Sequence, residues 1–388
     1  MKAVLFSPAA LGPIELRNRT IRAGAFEGMT PKGQVSERLI EYHRTLARGE
    51  VGLTTVAYCS VTRDGLTLEH QLCAENDIEA GLKRLAEAVH AEGGRVALQI
   101  GHAGFFANPH ASGGRPIGPD GNFCLFNLTR ARRAAEEDLR RLVEKFARAA
   151  ELVRRAGFDA VELHLGHGYL LSQFLSPATN RRRDVYGGSL ENRLRFPLEV
   201  LRAVRQSLGP ELALVVKFNV DDGFRGGLRI NEAIEVARAL ERAGADALEP
   251  SGGFVSRTPF YMLRGKVPVR EFAANEKNSW RRLGLLFFGR FFVRQYPYHD
   301  LFFLEQARQI LAAVKIPVIY LGGVRRLEQI EQLFREGFFA FALARPLIKD
   351  PYFVARLRRG EIVSSDCQPC NLCVAEMEKG GIRCPLNS

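Results

Sequence analysis

Residues 136–163 read EEDLRRLVEKFARAAELVRRAGFDAVEL. An amphipathic helical pattern covers Glu136–Ala156, Gly157 follows as an end signal, and a short apolar run over Ala160–Leu163 has the character of a buried strand. The same helix-then-strand unit recurs in both directions along the chain. Strands are expected near Thr20–Phe26, Val51–Ala57, Val96–Ile100, Ala160–Leu163, Leu212–Phe218, Ala247–Glu249, Val318–Leu321 and Phe339–Ala342. Helices are expected near Ser36–Gly49, Asp77–Glu92, Glu136–Ala156, Leu190–Leu208, Asn231–Ala243, Leu301–Ala313, Leu327–Glu336 and Pro351–Arg358. Gly49, Gly93, Gly157 and Gly244 stand after helix ends, where a left-handed residue is favoured. Eight alternating pairs imply an α/β fold, a (β/α)8 TIM barrel. A doubly wound open sheet would carry a G-x-G-x-x-G turn after an early strand, and none stands there.

Two stretches interrupt the alternation. Residues 101–130 are rich in Gly, Pro, Asn and Phe and follow the third strand, on the face where barrel active sites lie. Residues 256–300 form an aromatic and basic excursion before strand 7; its 280–300 segment reads WRRLGLLFFGRFFVRQYPYHD. Its aromatics are expected to pack on the barrel or on a partner subunit, with peripheral membrane contact as the lesser alternative. The division expected is 1–360 for the barrel and 361–388 for a Cys-rich tail.

The 388 residues are 46% apolar and carry a net charge of +12. No run approaches the roughly 20 apolar residues that span a bilayer, and no nucleic-acid module accompanies the basic residues. The positive field would attract phosphorylated cofactors. Seven cysteines, four of them in the last 22 residues, do not resemble a secreted disulfide framework. The opening lacks the long apolar core of a signal peptide. A cytoplasmic location is expected, and a homo-oligomer is compatible with the sequence.

The chemistry-bearing stretch is VELHLGHGYLLSQFLSPATNRRRDVYGGSLENRLRF, residues 161–196. His164 falls at the C-terminal end of the fourth strand, and His167 and Tyr169 follow in the loop. Two imidazoles can hydrogen-bond one carbonyl or anionic oxygen, and a phenol can supply a proton. Zinc on Glu162, His164 and His167 is the competing reading. Glu162 is expected to face away from the neighbouring strand position, as a structural partner rather than a third ligand.

The run H-x-x-H-G-Y-L, then F-L-S-P and N-x-R-x-D-x-Y-G-G-S-x-E-N-R, resembles the Old Yellow Enzyme family of FMN-containing NAD(P)H:flavin oxidoreductases and ene-reductases. LGPIELRNRTIRAG, VALQIGHAG and DPYFVARLRRGE extend the likeness over nearly the whole chain. The resemblance implies FMN, with NADH or NADPH as hydride donor and an electron-poor alkene (an α,β-unsaturated carbonyl) as small-molecule substrate. His164 and His167 would bind the carbonyl oxygen and Tyr169 would protonate the α-carbon while flavin N5 returns hydride to the β-carbon. Gln99 and Lys217 would face the flavin pyrimidine, with Lys217 where relatives usually have Arg. The backbone of Ala23, Gly24 and Ala25 would contact the ring, and Tyr58 would sit near flavin O4 or pack in the barrel. Phe26 and Glu27 depart from the family's pattern. Gly322 and Gly323 after strand seven and Ala344 and Arg345 after strand eight are expected to hold a phosphate, a reading that also follows from backbone N–H groups and a guanidinium on the last two loops. Ser251 to Gly253 would line the same region. Other chemistries remain on the same scaffold: dehydrogenation or demethylation, or flavin binding without turnover.

Cys367, Cys370 and Cys373 form C-x2-C-x2-C, with Cys384 eleven positions later. Such spacing suits an iron–sulfur cluster or zinc. The dienoyl-CoA reductase branch of the family carries a [4Fe–4S] cluster after its barrel, with a middle spacing one residue longer. Reduced cysteines in a docked tail are the leading expectation, ahead of a cluster and of zinc.

Overall fold

The computed structural model describes residues 2–276 and 278–387. Eight strands alternate with eight helices: β1 Thr20–Arg22, α1 Glu37–Arg48, β2 Leu53–Ser60, α2 Glu79–His90, β3 Arg95–Gly101, α3 Glu136–Arg155, β4 Ala160–Leu165, α4 Leu190–Leu208, β5 Ala213–Asp221, α5 Ile230–Arg242, β6 Ala247–Gly252, α6 Leu304–Ala313, β7 Ile319–Leu321, α7 Leu327–Arg335, β8 Ala340–Leu343 and α8 Phe353–Arg359. All neighbouring strands run parallel in the order β6-β5-β4-β3-β2-β1-β8-β7. A bridge between Leu248 and Val318 joins β6 to β7 and closes the ring. The fold is the (β/α)8 barrel.

Alternation along each strand sorts side chains to two cores. Val161, Leu163, Leu214, Val216 and Phe218 face outward into the layer shared with the helices, together with Leu142 and Phe146 of α3. Each such burial is worth about 1.5–3 kcal/mol relative to exposure. Ala97, Ala160, Ala213, Val215 and Ala247 face inward and meet Leu11, Ile14 and Leu16. The last three belong to a hairpin, Ala9–Leu11 with Ile14–Leu16, whose apolar face packs against the interior strand residues.

Helix starts follow local chemistry. Ser36 Oγ accepts the Leu39 N–H at the start of α1. The expected left-handed turn after α1 falls on Glu50, at φ 69, and not on Gly49. Gly49 is required because the Pro351 carbonyl fills the place a Cβ would take.

The segment after β3 forms two small ladders, Phe123–Cys124 with Thr129–Arg130 and Ile117–Gly118 with Arg132–Arg133. The excursion after β6 contains helices Val269–Asn275 and Ser279–Phe292. Of the two expected coverings for its aromatics, the barrel or a partner subunit, the barrel does not cover Trp280 and Phe287, which are 83% and 64% exposed beside exposed Leu283 and Leu286. The same expectation for the side chains of Phe288, Phe291 and Phe292 lies outside the described residues. Among the described residues no helix is long and apolar enough to cross a membrane.

Candidate functional site

The inward-facing residues of four adjacent strands step upward together: Ala97, Gln99, Gly101; Ala160, Glu162, His164; Ala213, Val215, Lys217, Asn219; Ala247, Glu249, Ser251. Small residues fill the floor, charged and amide groups form a middle layer, and His164, Asn219 and Ser251 form the rim. Glu162 shares a face with His164, since residues two apart on a strand point the same way; the expected opposite orientation is corrected. Its partners are nonetheless structural. It receives Lys217 Nζ at 2.7 Å and the Gln99 side-chain amide, and among the described residues no three His, Cys, Asp or Glu side chains are grouped to hold a metal ion.

His164 and His167 stand with ring centroids 5.0 Å apart, and Tyr169 lies 4.6 Å from His164. His167 adopts φ 58, a left-handed conformation that costs a non-glycine residue roughly 1–2 kcal/mol. Two contacts hold it there. Its N–H donates to Asn219 Oδ1 at 2.9 Å, and its Nε2 lies 2.7 Å from Ser251 Oγ. His164 Nδ1 is buried with no hydrogen-bond partner. Burial, then neighbouring His167 and Lys217, pushes the His164 pKa well below its ordinary value; burial and Lys217 lower that of His167 to about 3. Burial raises the Tyr169 phenol to about 12. At neutral pH the cluster therefore holds two neutral imidazoles and a phenol that keeps its proton.

Lys217 is almost fully buried yet charged. Burial alone would lower its pKa, but Glu162 and Glu249 outweigh that cost and raise it. Glu249 Oε1 is 3.0 Å from Nζ, yet neither carboxylate oxygen of Glu249 accepts a hydrogen bond. Burial raises the Glu249 pKa to about 7, with the Glu162 charge adding and Lys217 opposing.

The chain leaving β1 crosses close above this layer. A Cβ on Gly24 would meet Gln99 Nε2 at 2.7 Å and Glu162 Oε1 at 2.9 Å, so only backbone fits. Ala23 donates its N–H to Leu343 O, and the Ala25 carbonyl accepts Arg22 Nη2. Glu27, an unexpected residue here, is buried, 2.6 Å from Arg22 and 3.4 Å from His43, and accepts the Ala57 N–H. Tyr58 is buried edge-on to Tyr169 at 5.2 Å and donates its hydroxyl to Gly65 O at 2.8 Å. Phe106 continues the aromatic row outward from Tyr169, at 6.2 Å.

On the opposite rim Gly322 and Gly323, at φ 126 and 77, line a cleft of about 80 Å³ with Tyr298, Ala344, Arg345 and Cys367. Tyr298 lies under the Arg345 guanidinium at 5.5 Å. A second cavity of about 380 Å³ is lined by Cys367, Cys370, Cys373 and Cys384. Arg345 and Cys367 belong to both walls. Arg345 also donates to Asn371 Oδ1 at 2.8 Å, between Cys370 and Cys373. The tail docks on the barrel through the Ile382 N–H to Glu27 O and the Lys266 N–H to Pro369 O.

The structure thus gathers His164, His167 and Tyr169 at one rim, Gln99 and Lys217 just beneath, and Gly322, Gly323, Ala344 and Arg345 across the mouth. It places the four tail cysteines on a second cavity, with Cys367 also on the first. Ser251 was expected in the cofactor region and Glu27 was noted as a departure from the family's pattern, but Asn219 and Glu249 were not read from sequence. Period-two spacing from Lys217 to Asn219, and from Ser251 back to Glu249, was the available signal for these two.

These features agree with known proteins. Residues 4–254 match the NADH:flavin oxidoreductase / NADH oxidase family. A 4,4'-dithiodibutanoate disulfide reductase of Rhodococcus erythropolis is 40% identical over 377 residues, covering 97% of this chain and 93% of that one. An NADH oxidase of Thermoanaerobacter brockii is 32% identical over 392 residues, 99% of this chain but 56% of that enzyme. The structure of a 2-naphthoyl-CoA reductase complex superposes with a TM-score of 0.83 at 26% identity, covering 98% of this chain and 56% of the other. The chain spans just over half the length of these last two. A barrel with this rim chemistry and this family match is a flavin oxidoreductase: the chain belongs to the NADH:flavin oxidoreductase / NADH oxidase family, of the Old Yellow Enzyme kind.

Proposed function

We propose that the protein binds FMN across the barrel mouth and passes reducing equivalents from NADH or NADPH to an electron-poor alkene. The carrying observation is the convergence of His164, His167 and Tyr169, with ring centroids 4.6–5.0 Å apart and all three neutral near pH 7. The residues present fit FMN: Gly24 leaves room only for backbone above Gln99 and Glu162, His164 Nδ1 lacks a partner, and Gly322, Gly323 and Arg345 cradle a site suited to a dianion. When bound, FMN supplies hydride acceptance and donation.

The chain's own residues do the rest. The imidazoles of His164 and His167 orient the substrate carbonyl oxygen and stabilise the negative charge that develops on it. Tyr169 retains its proton until that charge appears, then delivers it from the phenol oxygen to the α-carbon. Phe106 and Tyr58 flank Tyr169 and keep water from it. Gly322 and Gly323 offer backbone N–H groups and Arg345 a guanidinium to the phosphate.

The test is Tyr169→Phe. Anaerobic bleaching of the bound flavin by NAD(P)H should proceed at the wild-type rate, while reoxidation by an enone should slow by about 10²-fold or more. Wild-type rates in both half-reactions would remove Tyr169 from the proton-transfer step.

A second reading is favoured by the 40% identical disulfide reductase and by four thiols beside the Arg345 wall. Here an organic disulfide takes two electrons and two protons and leaves as two thiols. Parallel assays of an enone and a dialkyl disulfide as oxidants of the bleached protein separate the two. For the tail we propose reduced cysteines: all four line one cavity, yet among the described residues no three of them are grouped to hold a metal ion. Iron with acid-labile sulfide, or stoichiometric zinc, in the purified protein would overturn this.

A further inference from the structure

The middle layer of the barrel holds two carboxylates for one ammonium. Glu162 is well served, by Lys217 Nζ and by Gln99. Glu249, with no solvent exposure, has the same ammonium 3.0 Å away but accepts no hydrogen bond on either oxygen. Glu162 on β4 and Lys217 on β5 are the titratable groups acting on it. From β3 comes the neutral amide of Gln99, while β7, β8 and β1 line the interior with Ile319, Leu321, Ala340, Ala342, Ile21 and Ala23. A buried carboxylate so placed is easier to protonate than to leave charged.

The layer also lies directly under the reacting rim. His164 pairs in register with Lys217, and Lys217 with Glu249. The Lys217 charge is felt at both imidazoles, whose pKa values it lowers. Negative charge gathering at the mouth therefore acts on this layer across a dry, low-dielectric gap.

We propose that Glu249 is a proton-exchanging counter-group of the flavin site, taking up a proton when negative charge arrives above Lys217 and releasing it when that charge leaves. Protonated Glu249 frees the Lys217 ammonium from one of its two carboxylates, so more of its field reaches the mouth. Charged Glu249 draws that field back. Glu249 touches no substrate and acts through Lys217, so it is a positioning residue. The proposal rests on the FMN reading above.

The test is potentiometric titration of the flavin-loaded protein at several pH values, on wild type and Glu249→Gln. Each proton taken up with two electrons changes the equilibrium tenfold per pH unit, about 30 mV for a two-electron couple. Across neutral pH the wild type should show one such proton more than Glu249→Gln, and infrared difference spectra should show a carboxylic-acid band on reduction that the variant lacks. Glu162→Gln is the second variant. It leaves Lys217 to Glu249 alone, keeps Glu249 ionised in both states, and should lose the extra proton as well. Identical pH slopes in all three proteins, with flavin bound, overturn the assignment of Glu249 alone. A wild-type protein that binds no FMN overturns the underlying reading and this proposal with it.

Discussion

Two arcs of one barrel are built on opposite principles. In the β3–β6 arc the strands run seven, six, nine and six residues, and their inner faces carry Gln99, Glu162, His164, Lys217, Asn219, Glu249 and Ser251. In the β7–β8–β1 arc the strands run three, four and three residues, and the inner face is Ile319, Leu321, Ala340, Ala342, Ile21 and Ala23. The first arc buries polar side chains by pairing most of them across strands, Glu162 with Lys217 and Gln99 and Ser251 with His167, and leaves His164 Nδ1 and the Glu249 carboxylate without a hydrogen bond. The second turns only apolar side chains inward and ends early, so its loops present backbone and Arg345 to the mouth. The proposed acid–base chemistry belongs to the long arc and the candidate anion cradle to the short one.

That division can be broken from the long side first. Lys217→Met leaves Glu162 and Glu249 without their cation, and should cost about 3–5 kcal/mol of stability in urea denaturation. Adding Glu162→Gln should recover part of the loss; no loss at all would mean the layer is not electrostatically coupled. A smaller effect comes from pH. The folded-state pKa of Glu249 is raised above its unfolded value of about 4.3, so the folded protein binds the extra proton. Its contribution is fully present below about pH 4 and is lost as pH rises through about 7, a decline that Glu249→Gln should flatten in the apoprotein. The smallest effect is expected on the short arc. Gly323 needs φ 77, and a Cβ there would lie 2.7 Å from Leu301 N. Gly323→Ala should weaken FMN binding about tenfold, roughly 1.4 kcal/mol, by equilibrium dialysis while leaving the long arc's pH behaviour unchanged.

How much of this was legible depends on where each partner resides in sequence. All eight strands and eight helices of the barrel stand out because their periodicity is local. His164, His167 and Tyr169 lie within six residues, so their convergence needed no tertiary knowledge. Glu249 escaped notice, and Glu27 was seen only as a departure from the family's pattern, because what makes them unusual, Lys217 for one and Arg22 with His43 for the other, comes from separate strands or a helix. Glu162 was assigned the wrong face for a simpler reason: the two-residue step to His164 was not applied. The helix Ser279–Phe292 reads as apolar and was expected to be covered, yet composition alone does not say against what, and Trp280 and Phe287 face outward.

The ring closes unevenly. β4 and β5 share six paired positions, whereas β6 and β7 are joined by a single bridge between Leu248 and Val318. A hoop with one thin weld has its compliance concentrated there. The mouth between the arc that carries His164 and Lys217 and the arc that carries Gly322 and Gly323 is therefore spanned, on that side, by the seam with the least ladder pairing.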